Sequence, residues 1–153
     1  MTLLASRFDD VMRHGCPTAE RVLVVENNPG INAFLCYALT FQKYQPVPVH
    51  GTMADLTWID LVDSSKGIAL MLLDVSLMPL ALAGASLHSV QARWRSVHGL
   101  IPPILVLTTS PLIYNGLVDY PILLKPFPVR RLLAFVQEMI PYRDEAALER
   151  SPR

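Results

Sequence analysis

The sequence is poor in charge and in cysteine. Charged residues occupy 17% of its 153 positions, and 13 basic residues balance 13 acidic ones. That leaves no broad basic field to hold nucleic acid. The two cysteines, Cys16 and Cys36, cannot build a disulfide framework, and reduced thiols are expected. No run suits a membrane span, because the most apolar stretch, 68–85, carries Asp74 and Pro79 in its middle. The opening MTLLASRFDDVMRHG has acids where a secretory signal needs an apolar core. A cytoplasmic location is therefore expected. The four histidines, His14, His50, His88 and His98, lack ligand spacing, which argues against a zinc centre.

Apolar residues, by contrast, make up 52% of the chain. A chain of this length buries roughly 68–70% of its unfolded surface in one domain without a metal or disulfide staple. Short apolar runs recur at 22–25, 68–73, 104–107 and 122–124, with a weaker one around Val47-Pro48-Val49 whose proline suits an edge strand. Continuous rather than alternating runs fit strands buried on both faces of a parallel sheet. Helical patterns separate them. Asn28 and Pro29 can open a first helix with Ile31, Phe34, Leu35, Ala38 and Leu39 inward. Thr52 is placed to cap a second, carrying Met53, Leu56, Ile59 and Val62. A third runs from about residue 85 to 97 with Leu87, Val90 and Trp94 inward. The last begins near Pro128, with Val129, Leu132, Leu133, Val136 and Ile140 at helical spacing. Strand and helix in alternation predict a doubly wound α/β sheet with right-handed crossovers. Residues 1–19 read as an N-terminal extension, 20–140 as the folded domain and 141–153 as a polar tail.

One crossover is short. A parallel connection usually needs a dozen or more residues. Between Thr109 and Tyr120 there are barely that many, and they include Pro111 and an Asn115-Gly116 turn signal. The fourth covering helix is expected to be short or missing.

Ligands of open α/β sheets sit at the carboxyl ends of the strands. The residues just after each apolar run are therefore informative: Glu26-Asn27-Asn28 after the first, Asp74 after the third, Thr108 and Thr109 after the fourth, Lys125-Pro126 after the fifth. Two carboxylates suit Mg²⁺, a hard cation that keeps several waters. A hydroxyl and an ammonium beside them can grip the peripheral oxygens of a phosphoryl group, and a carboxylate can be its nucleophilic acceptor.

The segments RVLVVENNPG, ALMLLDVSLMP, PPILVLTTS and ILLKPF resemble those of bacterial two-component response regulator receiver domains, over roughly residues 20–140. The resemblance implies a flavodoxin-like five-stranded parallel sheet of order 2-1-3-4-5. It implies Asp74 as phosphoacceptor, with a histidine kinase or phosphotransfer protein as donor. Thr108 and Lys125 would bind the phosphoryl group, and Lys125 would precede a proline whose bond is often cis in that family. Mg²⁺ would lie among Glu26, Asn27, Asp74 and the Ser76 backbone carbonyl. The chain departs from the family pattern at several points. Asn27 stands where the second acid usually is, which weakens the metal site. Asp74 and Pro79 are one residue further apart than usual. Ile122 takes the aromatic switch position.

The leading expectation is an atypical single-domain receiver, phosphorylated on Asp74 and switching protein–protein binding. The alternative is a phosphorylation-independent pseudo-receiver acting as an interaction module. A cofactor-binding flavodoxin is disfavoured, because ENNPG lacks the glycine and hydroxyl groups of a phosphate cradle. The apolar Leu77, Met78, Leu80, Leu82 and Leu87, with the clipped crossover, suggest a homodimer or effector surface on the face of the fourth and fifth strands.

Overall fold

The computed structural model describes residues 19–76, 83–111, 117 and 119–140. Five strands, β1 (Arg21–Val25), β2 (Gln45–Val49), β3 (Leu70–Asp74), β4 (Ile104–Thr108) and β5 (Ile122–Leu124), form one sheet of order β2-β1-β3-β4-β5. Every pairing is parallel. Among the described residues four helices cover it: α1 (Pro29–Phe41), α2 (Thr57–Leu61), α3 (Ala83–His98) and α4 (Val129–Met139). No helix among the described residues is long and apolar enough to cross a membrane.

The continuous apolar strands are explained by two separate cores. Successive strand residues point to opposite faces. Leu23 and Val25 of β1, with Met71 and Leu73 of β3, pack against Trp58 and Ile59 of α2 and Leu87, Val90 and Trp94 of α3. Val22, Val24, Leu70 and Leu72 face the other way, onto Leu35 and Leu39 of α1 and Leu132 and Val136 of α4. Truncating any of these leucines to alanine costs about 2–5 kcal/mol, the lost burial plus the cavity left behind. Pro48 is tolerated because β2 is an edge strand, bonded only to β1.

Local readings hold at α1 and α4 and shift at α2. The Asn28 side chain accepts from the Ile31 backbone N–H at 3.1 Å, and Pro29 opens the helix. Pro128 precedes α4, and Leu132 and Val136 are buried. Thr52, however, caps nothing. Helix α2 begins only at Thr57, and it is the Thr52 carbonyl that is used, accepting from Trp58 Nε1 at 3.2 Å. The bend is fixed by Asp55, whose carboxylate accepts from the Thr57 N–H at 3.0 Å. Hydrogen bonding to Thr57 holds the Asp55 carboxyl below its usual range, the backbone bond most strongly. On α1, Phe34 turns outward, and Asn32 takes the inward place beside Leu35.

The reduced fourth helix is confirmed. Neither Pro111 nor Leu117 is α-helical, and only the five positions 112–116 lie between them. That is little more than one turn. Leu117 is buried and joins the core on the α2–α3 face. The expected apolar residues at 77–82 lie outside the described residues, and Leu87 is core. Among the described residues the large exposed apolar side chains come from α1, the end of α2 and the α3 C-terminal end, not from β4 or β5.

Candidate functional site at the carboxyl edge of the sheet

Parallel strands bring their C-terminal ends to one rim. There β1 delivers Glu26, β3 ends on Asp74, β4 ends on Thr108 and β5 runs into Lys125. The Lys125 ammonium joins the acids. Its Nζ lies 2.6 Å from Glu26 Oε2 and 3.3 Å from Asp74 Oδ2. The three side chains are largely withdrawn from solvent, at 2% exposure for Glu26, 10% for Lys125 and 12% for Asp74. Such a cluster is tolerable only because unlike charges meet within it.

Each acid is held at its other oxygen as well. Glu26 Oε1 accepts from the Asn28 N–H at 3.0 Å. Asp74 Oδ1 accepts from both the Ser76 N–H, at 2.9 Å, and the Ser76 hydroxyl, at 2.6 Å. Both oxygens of both carboxylates are thus engaged. Lys125 is placed by its own backbone, whose N–H donates to the Thr108 carbonyl at 2.7 Å, and it precedes Pro126 through a cis bond. The Thr108 side chain is fully buried, and its Oγ1 accepts from the Ser110 N–H at 3.1 Å. Accepting there leaves its own proton free to be donated.

The sequence-derived residues are therefore brought to one rim, with different engagements. Glu26, Asp74 and Lys125 form direct ion pairs. Thr108 stands next to them through backbone pairing. Asn27 is exposed beside Glu26. Ser76 meets Asp74 through its N–H and hydroxyl. Ile122 is buried, and Tyr120 packs against the α2–α3 core.

Asn32 was missed by sequence reasoning. Its Nδ2 lies 3.4 Å from the Val24 carbonyl, 3.1 Å from that of Glu26 and 3.3 Å from that of Val49. It therefore ties the end of β2 to the loop that carries Glu26. Its Oδ1 accepts from the Cys36 thiol at 3.4 Å, and burial raises the pKa of that thiol. The available signal was a lone amide on an otherwise apolar helical stripe, one turn before Leu35 and Cys36.

The donor set suits Mg²⁺. Among the described residues no three or more His, Cys, Asp or Glu converge on a metal position. Mg²⁺ does not need that many, since one or two carboxylates and retained water suffice. Glu26 and Asp74 already share one cation, the Lys125 ammonium. These two carboxylates, with the neutral Asn27 amide beside them, are the groups that would hold the ion.

Comparison with solved structures agrees with this topology. A signal receiver domain from Bermanella marisrubri is 24% identical, with a TM-score of 0.60, covering 80% of this chain and 98% of its own. A response regulator receiver domain protein from Bacillus halodurans is 22% identical with a TM-score of 0.60, again over 80% and 98%. The fold is that of a response-regulator receiver. The same receiver fold occurs in a streptococcal protein described as a redox sensor evolved from two-component response regulators. It is 19% identical, with a TM-score of 0.59, over 88% of this chain and 57% of that one. No family model and no curated protein matches the sequence.

Proposed function

We propose that this chain is a signal receiver in which Asp74 accepts a phosphoryl group from a histidine kinase or a phosphotransfer protein, and that the modified domain exchanges protein partners. One observation carries the reading: a single ammonium, Lys125, spans Glu26 and the strand-end carboxylate Asp74. A cation shared between two acids is poised to exchange one anionic partner for another.

The chemistry rests on the contacts. Asp74 Oδ1 already receives two donors from Ser76, so Oδ2 is the freer nucleophile. As Oδ2 bonds to phosphorus, the phosphorus–nitrogen bond of the donor phosphohistidine breaks. The electron pair leaves on the imidazole, which takes up a proton. Lys125 neutralises one peripheral oxygen, and the Thr108 hydroxyl donates to another. Mg²⁺, when bound at Glu26 and Asp74, supplies further positive charge to the transferred oxygens. Beyond the Asp74 nucleophile, the chain contributes positioning and charge neutralisation.

A second reading has its own support. Asn27 removes one negative charge from the rim, and Lys125 already balances much of what remains. A phosphate-independent interaction module would need no more. The streptococcal redox sensor shows that this fold serves other inputs.

The test is incubation with Mg²⁺ and a small acyl phosphate, followed by intact-mass measurement. The expected result is a single base-labile phosphoryl addition that is absent from Asp74→Asn. No addition with any donor or divalent ion would leave the second reading standing.

A further inference from the structure

Helix α1 has two properties that its neighbours lack. It is the only one of the four described helices without a charged residue, since PGINAFLCYALTF contains none, whereas α2 carries Asp60, α3 carries Arg93 and Arg95, and α4 carries Arg130, Arg131 and Glu138. It also leaves aromatic rings in solvent: Phe34 is 44% exposed, and Tyr37 and Phe41 are 73% exposed each. At 100° per residue these three fall within a narrow stripe, and the exposed Gly30 continues it toward the helix N-terminus.

We propose that this stripe is the contact surface for a second copy of the chain, through antiparallel pairing of α1 with α1 about a two-fold axis. The spacing is self-complementary. With the axis between positions 35 and 36, Phe34 of one copy faces Tyr37 of the other, and Phe41 of one lies over Gly30 of the other. Each contact is made twice, as an isologous interface requires. The small residue opposes a large one, and the two central rings meet each other. Charge points the same way. A charged side chain near a two-fold axis meets its own like charge, and α1 has none to meet. Its termini carry no acidic residue in the first turn and no basic residue in the last, so the helix dipole is uncompensated by its own side chains. An antiparallel copy places opposite dipole ends side by side.

The area sets the strength. The three rings expose roughly 400 Å² per copy. That total lies at the low end for specific interfaces and calls for a weak, concentration-dependent dimer.

Sedimentation velocity over a concentration series tests the proposal with three proteins: the wild type, Phe34→Glu and Tyr37→Arg. These positions are exposed, and unchanged thermal unfolding will show that the variants fold. The wild type is expected to dimerise reversibly. Each variant alone should weaken self-association by about tenfold or more. Mixing the two variants should restore a dimer. The carboxylate introduced at position 34 of one copy then opposes the guanidinium introduced at position 37 of the other, while the native Tyr37 and Phe34 still meet across the axis. A wild type that stays monomeric at its solubility limit overturns the proposal. So does a dimer insensitive to both substitutions, or a mixture no more associated than its components. Binding of the stripe only to a different helical protein would also overturn it.

Discussion

Lys125 carries more of the rim than any other single side chain. It faces two acids, and Glu26 is too deeply buried to be solvated by water instead. Removing one partner of a buried pair leaves an uncompensated charge, and removing Glu26 together with Lys125 takes that penalty away from the deeper acid and leaves only Asp74 without its cation. Lys125→Met is therefore expected to lose about 3 kcal/mol of unfolding free energy. Adding Glu26→Gln to that variant should recover part of the loss, a non-additivity that urea denaturation of the two single variants and the double variant will measure. Additive losses would mean that the contact contributes nothing of its own. The roles of Glu26, Asp74 and Lys125 as rim residues were legible in the sequence because each sits at the end of an apolar run. That of Asn32 was not. An amide on an apolar stripe reads as a blemish until three carbonyls from two strands and their loop are seen around it.

Among the elements, α2 is the one whose limits depended most on its surroundings. Its start is set by where Trp58 must lie, over the end of β2 with its indole N–H on the Thr52 carbonyl. Gly51 is what makes room. A Cβ there would meet the Trp58 ring at 2.6 and 2.8 Å, well inside contact distance. A buried indole cannot swing aside as a flexible side chain would. Gly51→Ala should then destabilise the domain by about 1–3 kcal/mol through overpacking, even though alanine is ordinarily the better-tolerated residue in a chain of normal backbone geometry. Thermal unfolding monitored by tryptophan fluorescence will check this. An unchanged or raised midpoint would show that the ring can relocate. The junction of α2 with α3 is closed from the other side by His98, whose Nδ1 meets Ser64 Oγ at 2.7 Å and whose Nε2 meets the Ile59 carbonyl at 2.6 Å. Its ring also lies 4.4 Å from that of Trp94. No ligand spacing among the histidines was found in the sequence, and this one serves as a bracket between elements.

At the scale of the whole molecule, charge is scarce and balanced, and among the described residues the exposed aromatic rings lie on α1. The expected apolar surface at β4 and β5 involves residues 77–82, which lie outside the described residues; among the described ones Leu117 and Ile122 are buried and the exposed rings lie on α1. An interface built from uncharged groups responds to solvent differently from an ionic one. Self-association through α1 should change little between low and high sodium chloride, because there are no charges to screen. Sulfate should strengthen it by favouring apolar burial. Light scattering across both salts distinguishes the two cases. A dimer that dissociates steeply as sodium chloride rises would be held by charges elsewhere on the surface.

The parallel α/β sheet and the shortened crossover were legible in the apolar runs and loop lengths, whereas the strand order was implied only by the resemblance of four motifs to receiver domains. Apolar runs buried on both faces and separated by helical spacing admit few other arrangements, and proline with a short loop limits what can span the last crossover. The convergence of four strand ends on one rim is a consequence of parallel topology alone. Tertiary structure decided the rest, because it rests on distances between residues remote in the chain. A lysine 99 positions from Glu26 donates to it, and Asn32 reaches the end of β2. Which face of α1 is left in water depends on what α4 and the sheet have already covered. Periodicity places Phe34 and Asn32 on opposite edges of the apolar stripe of the helix. Packing chose the amide for the interior, because the carbonyls at the strand ends need a donor and a phenyl ring has none to offer.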